Sequence, residues 1–341
     1  MKYNKKPIVY WNLTNKCNID PGCIYCFADS TKNSHNPNLT LKEKLSLIDR
    51  LKKYGVDYIA FSGGEPTLDK DLPSLINYSK EKEMHTRMIS NGTLINEDLA
   101  KKLYSCGLES VSINIDSPNK NTHNEIRKNR YNYWEMAVNG ASNCKNSGID
   151  TQIAMTVMKR NFHEINDYIL FGKKLGVDVE FTNLVPVGRG KELLTELLEK
   201  SQIREMFEIS AKYSLGEKPK IKVTDSQYYL FLREYYLKHK IDKEVRLGFG
   251  CATGMSAIVI KSDLKVTPCL LIPDLIIGDL KKQPLKEIWK NSQSLTELRD
   301  RDKLGGKCGK CTNKEKCGGC RAMAYALTGK LMAENPFCIY E

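Results

Sequence analysis

The chain has no apolar run approaching the roughly 20 residues that a helix needs to cross a bilayer. The stretch from Met1 to Cys17 has no apolar signal-peptide core and no cleavage site. Neither an anchor nor a secretion signal is therefore expected, and a cytoplasmic location is. No repeat of fixed short period and no low-complexity tract occurs, which argues against a solenoid or a tail-like chain. There is also no Arg-rich arm and no RNA-binding aromatic motif, so nucleic acid is not the expected partner. The net charge is nevertheless +12, from 53 Lys and Arg against 41 Asp and Glu. Lys predominates and is spread along the chain. This reads either as a solvated basic surface or as preparation for a partner rich in carboxylate or phosphate.

What is present is cysteine. Twelve occur in 341 residues whose 41% apolar and 28% charged content is otherwise that of a globular chain. Disulfides are rare in a reducing compartment, so metal ligation and catalysis are the leading uses. Cys17, Cys23 and Cys26 form one group, and Cys251, Cys269, Cys308, Cys311, Cys317, Cys320 and Cys338 another. Cys106 and Cys144 stand alone on expected helices and read as small buried apolar residues. This asymmetry predicts a first domain over 1–215, a bridging helical linker over 216–245 and a cysteine-rich domain over 246–341.

The first part alternates strand-like runs (8–13, 58–62, 86–90, 110–115, 152–157, 177–184) with helix-like ones (41–54, 72–83, 97–106, 134–147, 165–175). Thr40 and Asn96 fit as N-caps, and Gly55, Gly107, Gly148 and Gly176 follow helix ends. Strand–helix alternation with short connections implies parallel strands and right-handed crossovers. The fold class is α/β, a partial (β/α)6 TIM-like barrel with a small C-terminal cysteine-rich domain. Sites in such folds sit at the C-terminal ends of the strands.

Polar residues cluster at those ends. Cys17, Cys23 and Cys26 follow the first strand, Gly63-Gly64-Glu65 the second and Ser90-Asn91-Gly92 the third, while Asn114 and Asp116 close the fourth. Three thiolates do not complete a tetrahedral zinc site, but they hold three irons of a [4Fe–4S] cluster and leave the fourth open. A zinc site with a distant fourth ligand, or three reduced thiols, remains open on spacing alone. Paired glycines permit close approach of a ligand, and Glu65 offers an anion to an ammonium group.

These motifs together resemble those of radical S-adenosylmethionine (SAM, AdoMet) enzymes, over nearly the whole chain. The resemblance implies that Cys17, Cys23 and Cys26 hold the reducing cluster and that AdoMet binds its open iron. It implies that Glu65 receives the methionine amine and that Gly63, Gly64, Asn91, Asn114 and Asp116 line the AdoMet site. It further implies reductive cleavage of AdoMet to a 5′-deoxyadenosyl radical, abstraction of a substrate hydrogen, and a reducing donor such as flavodoxin or ferredoxin. One departure is visible. Five residues separate Cys17 from Cys23, where most members have three, and Pro21-Gly22 is expected to turn the larger loop.

The second group contains two C-x-x-C knuckles, Cys308/Cys311 and Cys317/Cys320, five residues apart. Four such thiolates would also suit one zinc ion, although seven cysteines exceed it. The segment resembles the SPASM extension of radical SAM enzymes. That implies one auxiliary [4Fe–4S] cluster on Cys308, Cys311, Cys317 and Cys338, and a second on Cys251, Cys269 and Cys320 with a site open or filled by a non-cysteine ligand. Leu264 stands where the usual pattern has a turn glycine, and two residues rather than three separate Cys317 from Cys320.

The runs 184–192 and 317–338 resemble the tetrapyrrole-modifying branch: haem synthases that decarboxylate iron-coproporphyrin, sirohaem-derivative deacetylases and haem d1 relatives. A small carboxylate-bearing tetrapyrrole is then the expected substrate, with Arg189 and Arg321 candidate partners for its propionates, or else ordinary salt-bridging residues. His123, in a His-x3-Arg stretch with Arg127, reads as a proton donor, a haem-iron ligand or a structural hydrogen-bonding residue. The Tyr228-Tyr229 and Tyr235-Tyr236 pairs read as inter-domain packing ahead of a porphyrin platform. Two other readings stand beside this one: a peptide-modifying radical SAM/SPASM maturase, and a non-enzymatic basic zinc protein that binds nucleic acid.

Overall fold

The computed structural model describes residues 6–37, 39–128, 132–216, 218–243 and 250–340. Six strand–helix units come first: β1 (Ile8–Thr14), α1 (Leu41–Tyr54), β2 (Tyr58–Gly63), α2 (Leu72–Glu81), β3 (His85–Ser90), α3 (Glu97–Cys106), β4 (Ser110–Asn114), α4 (Lys120–Ile126), α5 (Tyr133–Asn146), β5 (Asp150–Val157), α6 (Ile165–Leu175), β6 (Asp178–Asn183) and α7 (Lys200–Tyr213). All six strands pair in parallel, in chain order, as expected of the partial barrel. The caps explain the boundaries. Thr40 and Glu43 close a capping box on α1, Asn96 accepts from the Leu99 N–H, and Gly55, Gly107 and Gly176 end their helices in the left-handed conformation.

The sheet is longer than the sequence suggests. The bridging segment, expected to be helical, opens with a strand, β7 (Ile221–Thr224), parallel to β6, before α8 (Tyr228–Lys238). Residues 217, 244 and 245 of that segment lie outside the described residues. At the opposite edge β8 (Ala257–Ile260) pairs in parallel with β1, and β9 (Lys265–Thr267) and β10 (Gly278–Asp279) follow antiparallel, giving ten strands in all among the described residues. The cysteine-rich part therefore continues the barrel sheet. Five short helices complete it: α9 (Leu285–Asn291), α10 (Gln293–Arg299), α11 (Gly306–Lys310), α12 (Lys314–Cys317) and α13 (Arg321–Thr328).

Side chains alternate along each strand. Val9, Trp11, Ile59, Phe61, Val111, Ile153 and Phe181 lie in the core, each contributing on the order of 2 kcal/mol by burial. Their neighbours Tyr10, Ser112, Asn114, Ala154, Glu180 and Thr182 line a cavity of about 440 Å³. Cys144 is fully buried, as expected of an ungrouped thiol, whereas Cys106 is only half-buried against the core. Phe207 on α7 packs against Tyr228 and Phe231 of α8, so that aromatic stripe is mostly packing, although Tyr229 reaches the cavity. No helix among the described residues is long and apolar enough to cross a membrane.

Candidate active site

The loop after β1 brings Cys17, Cys23 and Cys26 together. Burial pushes the Cys17 thiol up to about 12, helped by the nearby charges of Cys23 and Cys26. Burial likewise raises Cys23 to about 11, against the Arg127 guanidinium, which lowers it. Buried thiols of this kind stay protonated until a metal takes the proton's place. The longer first gap is absorbed locally. Ile19 is buried, the Asp20–Pro21 peptide is cis, and Tyr133 Oη donates to the Asn18 carbonyl at 3.2 Å.

Arg189 holds this loop from the strand-end segment after β6. Its Nε donates to the Cys23 carbonyl at 2.8 Å, Nη2 to the Ser30 carbonyl at 3.1 Å, and Nη1 pairs with Asp29 at 2.6 Å. Arg321 is fully buried and donates to the carbonyls of Gly319, Leu331 and Ala333. Neither arginine lines the cavity. The reading of both as propionate partners is corrected: their forks are filled by backbone carbonyls and, for Arg189, by Asp29.

Glu65 is fully buried. One oxygen accepts from the Thr67 N–H, Thr67 Oγ1 and Ser90 Oγ at 3.2, 2.7 and 2.7 Å, the other from the Asn91 N–H at 2.8 Å. None of these donors is charged, and burial raises the pKa of the carboxyl above its ordinary value. Such a carboxylate fits an incoming ammonium group, which would supply the missing charge. Gly64 is set against the cysteine loop: its N–H donates to the Thr14 carbonyl at 2.7 Å, and a Cβ there would lie 2.0 Å from the Lys16 carbonyl oxygen. Any side chain at this position would push the Gly-Gly-Glu turn off the loop. Asn91 ties the two together, with Nδ2 donating to Asn18 Oδ1 at 2.8 Å and lying 3.9 Å from Cys17 Sγ.

The fourth strand ends in a buried polar knot. Asp116 pairs with Arg127 at 2.7 Å and accepts from Tyr25 Oη at 2.7 Å. Arg127 also donates to the Asn114 carbonyl at 3.1 Å and to Cys23 Sγ at 3.0 Å. The Asp116 N–H donates to His123 Nδ1 at 3.0 Å. His123 is 1% exposed, and burial, with the Arg127 charge, pulls its pKa well below 6.5. It is a neutral acceptor within the fold, the structural one of its three readings. Arg127 is the residue the sequence reading undervalued. It stands just after the short helix α4, which that reading did not include.

The C-terminal thiols fall into two sets. Cys251, Cys269 and Cys320 line the cavity together, and Cys320 feels the charges of the other two. Cys338 feels Cys308 and Cys311, and Cys317 feels Cys338. Backbone N–H groups point at the sulfurs: Leu271 at Cys269, Asn313 at Cys311, Gly319 at Cys317 and Met323 at Cys320, all at 3.4 Å, and Asn335 at Cys308 at 3.3 Å. Such donors stabilise thiolate and cluster sulfur alike. Among the described residues no three His, Cys, Asp or Glu side chains close on a single ion. A cube of four irons takes each thiolate on a different iron, so the gathered, spread sets fit clusters. Leu264 occupies the glycine position of the pattern at φ 70°, so the turn is kept with a bulky residue in the left-handed region.

A partial parallel barrel with three thiols above its first strand, a Gly-Gly-Glu turn with its carboxylate buried beside them and a cysteine-rich extension defines a radical SAM enzyme with a SPASM domain. The chain belongs to the radical SAM superfamily: the family described as Radical SAM superfamily matches residues 11–172, and the SPASM iron-sulfur cluster-binding domain matches 251–321. It is 32% identical to the AdoMet-dependent heme synthase of Methanosarcina barkeri, over 99% of this chain and 97% of that protein. It is 28% identical to the Fe-coproporphyrin III synthase of the same organism, over 98% and 88%. The mycofactocin maturase MftC of Mycolicibacterium smegmatis is 24% identical, over 96% and 81%. The solved structure of native anSMEcpe with bound AdoMet has the same fold, with a TM-score of 0.75 at 21% identity, over 98% and 94%. The protein is thus an enzyme whose cofactors are a [4Fe–4S] cluster, AdoMet and auxiliary iron–sulfur clusters.

Proposed function

We propose that this enzyme removes carbon from a carboxylate-bearing side chain of a tetrapyrrole, by decarboxylation or side-chain removal, in haem-type biosynthesis. One observation supports it most. The cavity of about 440 Å³ is shared by Tyr25 and Phe27 of the first cysteine loop and by Cys251, Cys269 and Cys320 of the second group. A largely apolar ring held there lies between both redox-active regions. Similarity to heme and Fe-coproporphyrin III synthases over nearly the full chain points the same way.

In this reading Cys17, Cys23 and Cys26 hold the reducing cluster, which when bound supplies the electron that splits AdoMet. Glu65 receives the AdoMet ammonium, and Gly63, Gly64, Asn91, Asn114 and Asp116 shape its surroundings. Arg127 fixes Cys23 and neutralises Asp116, while Leu184, Val185 and Met323 keep water from the cavity. Cys308, Cys311, Cys317 and Cys338 hold one auxiliary cluster. Cys251, Cys269 and Cys320 hold a second, with one position left to a non-cysteine ligand. A flavodoxin or ferredoxin is the electron donor.

The test is an anaerobic assay of reconstituted enzyme with AdoMet, a reductant and iron-coproporphyrin, read by mass spectrometry. Loss of carbon dioxide matched to deoxyadenosine is the expected result. Deoxyadenosine with an unchanged porphyrin overturns the assignment to iron-coproporphyrin and moves the search to deacetylase substrates and then to peptides.

A further inference from the structure

The lower half of the cavity holds a buried charge cluster that neither the motifs nor the AdoMet site uses. Glu180 on β6 is buried, and the cations Lys222 and Arg87 hold its pKa below the ordinary value against the effect of burial. Lys222 Nζ on β7 lies 2.9 Å from Oε1 and Arg87 Nη2 on β3 lies 3.3 Å from Oε2. Thr224 Oγ1 donates to Oε1 at 2.5 Å, and Gln152 Nε2 donates to Oε2. Glu180 is therefore fully occupied. Two cations surround one anion, and the excess is one positive charge.

That excess is reachable. Lys222 lines the cavity and its side chain is 46% exposed, whereas Arg87 is 17% exposed and is not among the residues lining it. Of its three N–H donors, the ammonium spends one on Glu180. Lys222 is the one cation among the described residues lining the cavity. The remaining anion, Asp225, lies three residues further along, about 10 Å at 3.3 Å per residue, where Asn183 and Gln227 hold it. The other arginines near the site point into the fold, as Arg127, Arg189 and Arg321 do. A structural salt bridge does not require Lys222, since Arg87, Thr224 and Gln152 already satisfy Glu180.

We propose that Lys222 binds a carboxylate of the substrate at the floor of the cavity, with Glu180, itself anchored by Arg87, holding its ammonium in place. The inference rests on the reading that the substrate bears several carboxylates. It deepens that reading by naming the contact that orients the ring. Tyr25 and Phe27 of the first cysteine loop line the same cavity, so a ring seated on Lys222 shares it with that loop.

The test is an anaerobic absorbance titration of cluster-loaded protein, without AdoMet, using iron-coproporphyrin and its tetramethyl ester. The variants are Lys222→Met and Lys222→Arg, each checked for iron content and melting temperature. A charge-assisted hydrogen bond at a partly open site corresponds to about a tenfold change in Kd. Lys222→Met should lose about that factor for the acid and none for the ester, and Lys222→Arg should keep most of it. A Lys222→Met variant that binds the acid as tightly as the wild type overturns the inference alone. Wild-type protein that binds neither porphyrin overturns the tetrapyrrole reading and the inference with it.

Discussion

The two cysteine regions are wired differently. Around the first group the partners are side chains: Arg127 on Cys23, Asn91 beside Cys17, and Arg189 across the loop. Around the second the sulfurs meet mainly backbone N–H groups, with Thr253 beside Cys251 and Arg321 3.9 Å from Cys308, on a segment whose helices α11 and α12 have five and four residues. Helices so short do not sustain themselves. The first region is a loop braced by the parallel barrel sheet and by side chains from its strand ends. The second shares the main core through Leu298, Leu304 and Ile339, but its shortest helices are expected to gain most from what the thiols bind, because metal ligation and folding are coupled.

The largest expected effect tests that contrast directly. Cys23→Ala should abolish deoxyadenosine formation, measured anaerobically by chromatography, while the resistance of residues beyond about 300 to limited proteolysis stays at the wild-type level. Normal turnover in that variant would break the assignment of the first loop. Cys317→Ala should do the reverse to the fold: early cleavage within 300–340 and loss of part of the bound iron, with substrate conversion lost and some uncoupled AdoMet cleavage retained. Equal protease sensitivity in the two variants would erase the distinction.

A smaller effect probes the side-chain wiring alone. Arg127 and Asp116 are 3% and 0% exposed and paired at 2.7 Å. Arg127→Met leaves Asp116 buried without its counter-charge, at about 3–5 kcal/mol. Denaturant unfolding of the cluster-loaded protein measures it. Adding Asp116→Asn should return a large part of that loss, because the unpaired charge is then gone. A double variant no more stable than Arg127→Met would show that the knot is held by packing instead.

Much of this was legible before any coordinates. Strict alternation and cap residues such as Thr40 and Asn96 carry local signals, so the six barrel units appear where expected. The cysteine spacing likewise marks both thiol groups. Three things were not legible. The strand β7 is four residues long with a Lys and two β-branched neighbours, too short for periodicity to separate it from a linker. The pairing of β8 with β1 is a long-range contact with no local trace. The destinations of Arg189 and Arg321 were also hidden, because a guanidinium serves backbone carbonyls and substrate carboxylates with the same fork. Had β7 been recognised, Lys222 and Glu180, one strand apart and both on inward positions, would have drawn notice as charges inside a barrel.

The smallest expected effect sharpens the comparison through pH. His123 supports the first region as a neutral acceptor for the Asp116 N–H, and its folded pKa lies well below 6.5 because of burial and Arg127. The unfolded chain takes up a proton at this residue near 6.5, and the folded chain does so only at much lower pH. The unfolded state therefore binds more protons below about 6.5, and stability falls as pH falls, by up to about 1.4 kcal/mol per pH unit for this one group. His123→Asn keeps an acceptor in nearly the same place and removes the titration. Its unfolding free energy, followed between about pH 7.5 and pH 5.5, should decline less steeply than that of the wild type. The backbone-wired region contains no comparable buried imidazole among its described residues, so the change in slope reports the first region alone. Parallel slopes for the two proteins would mean that His123 takes up its proton at the same pH in the folded and unfolded chains, and its role as a neutral acceptor for the Asp116 N–H would be wrong.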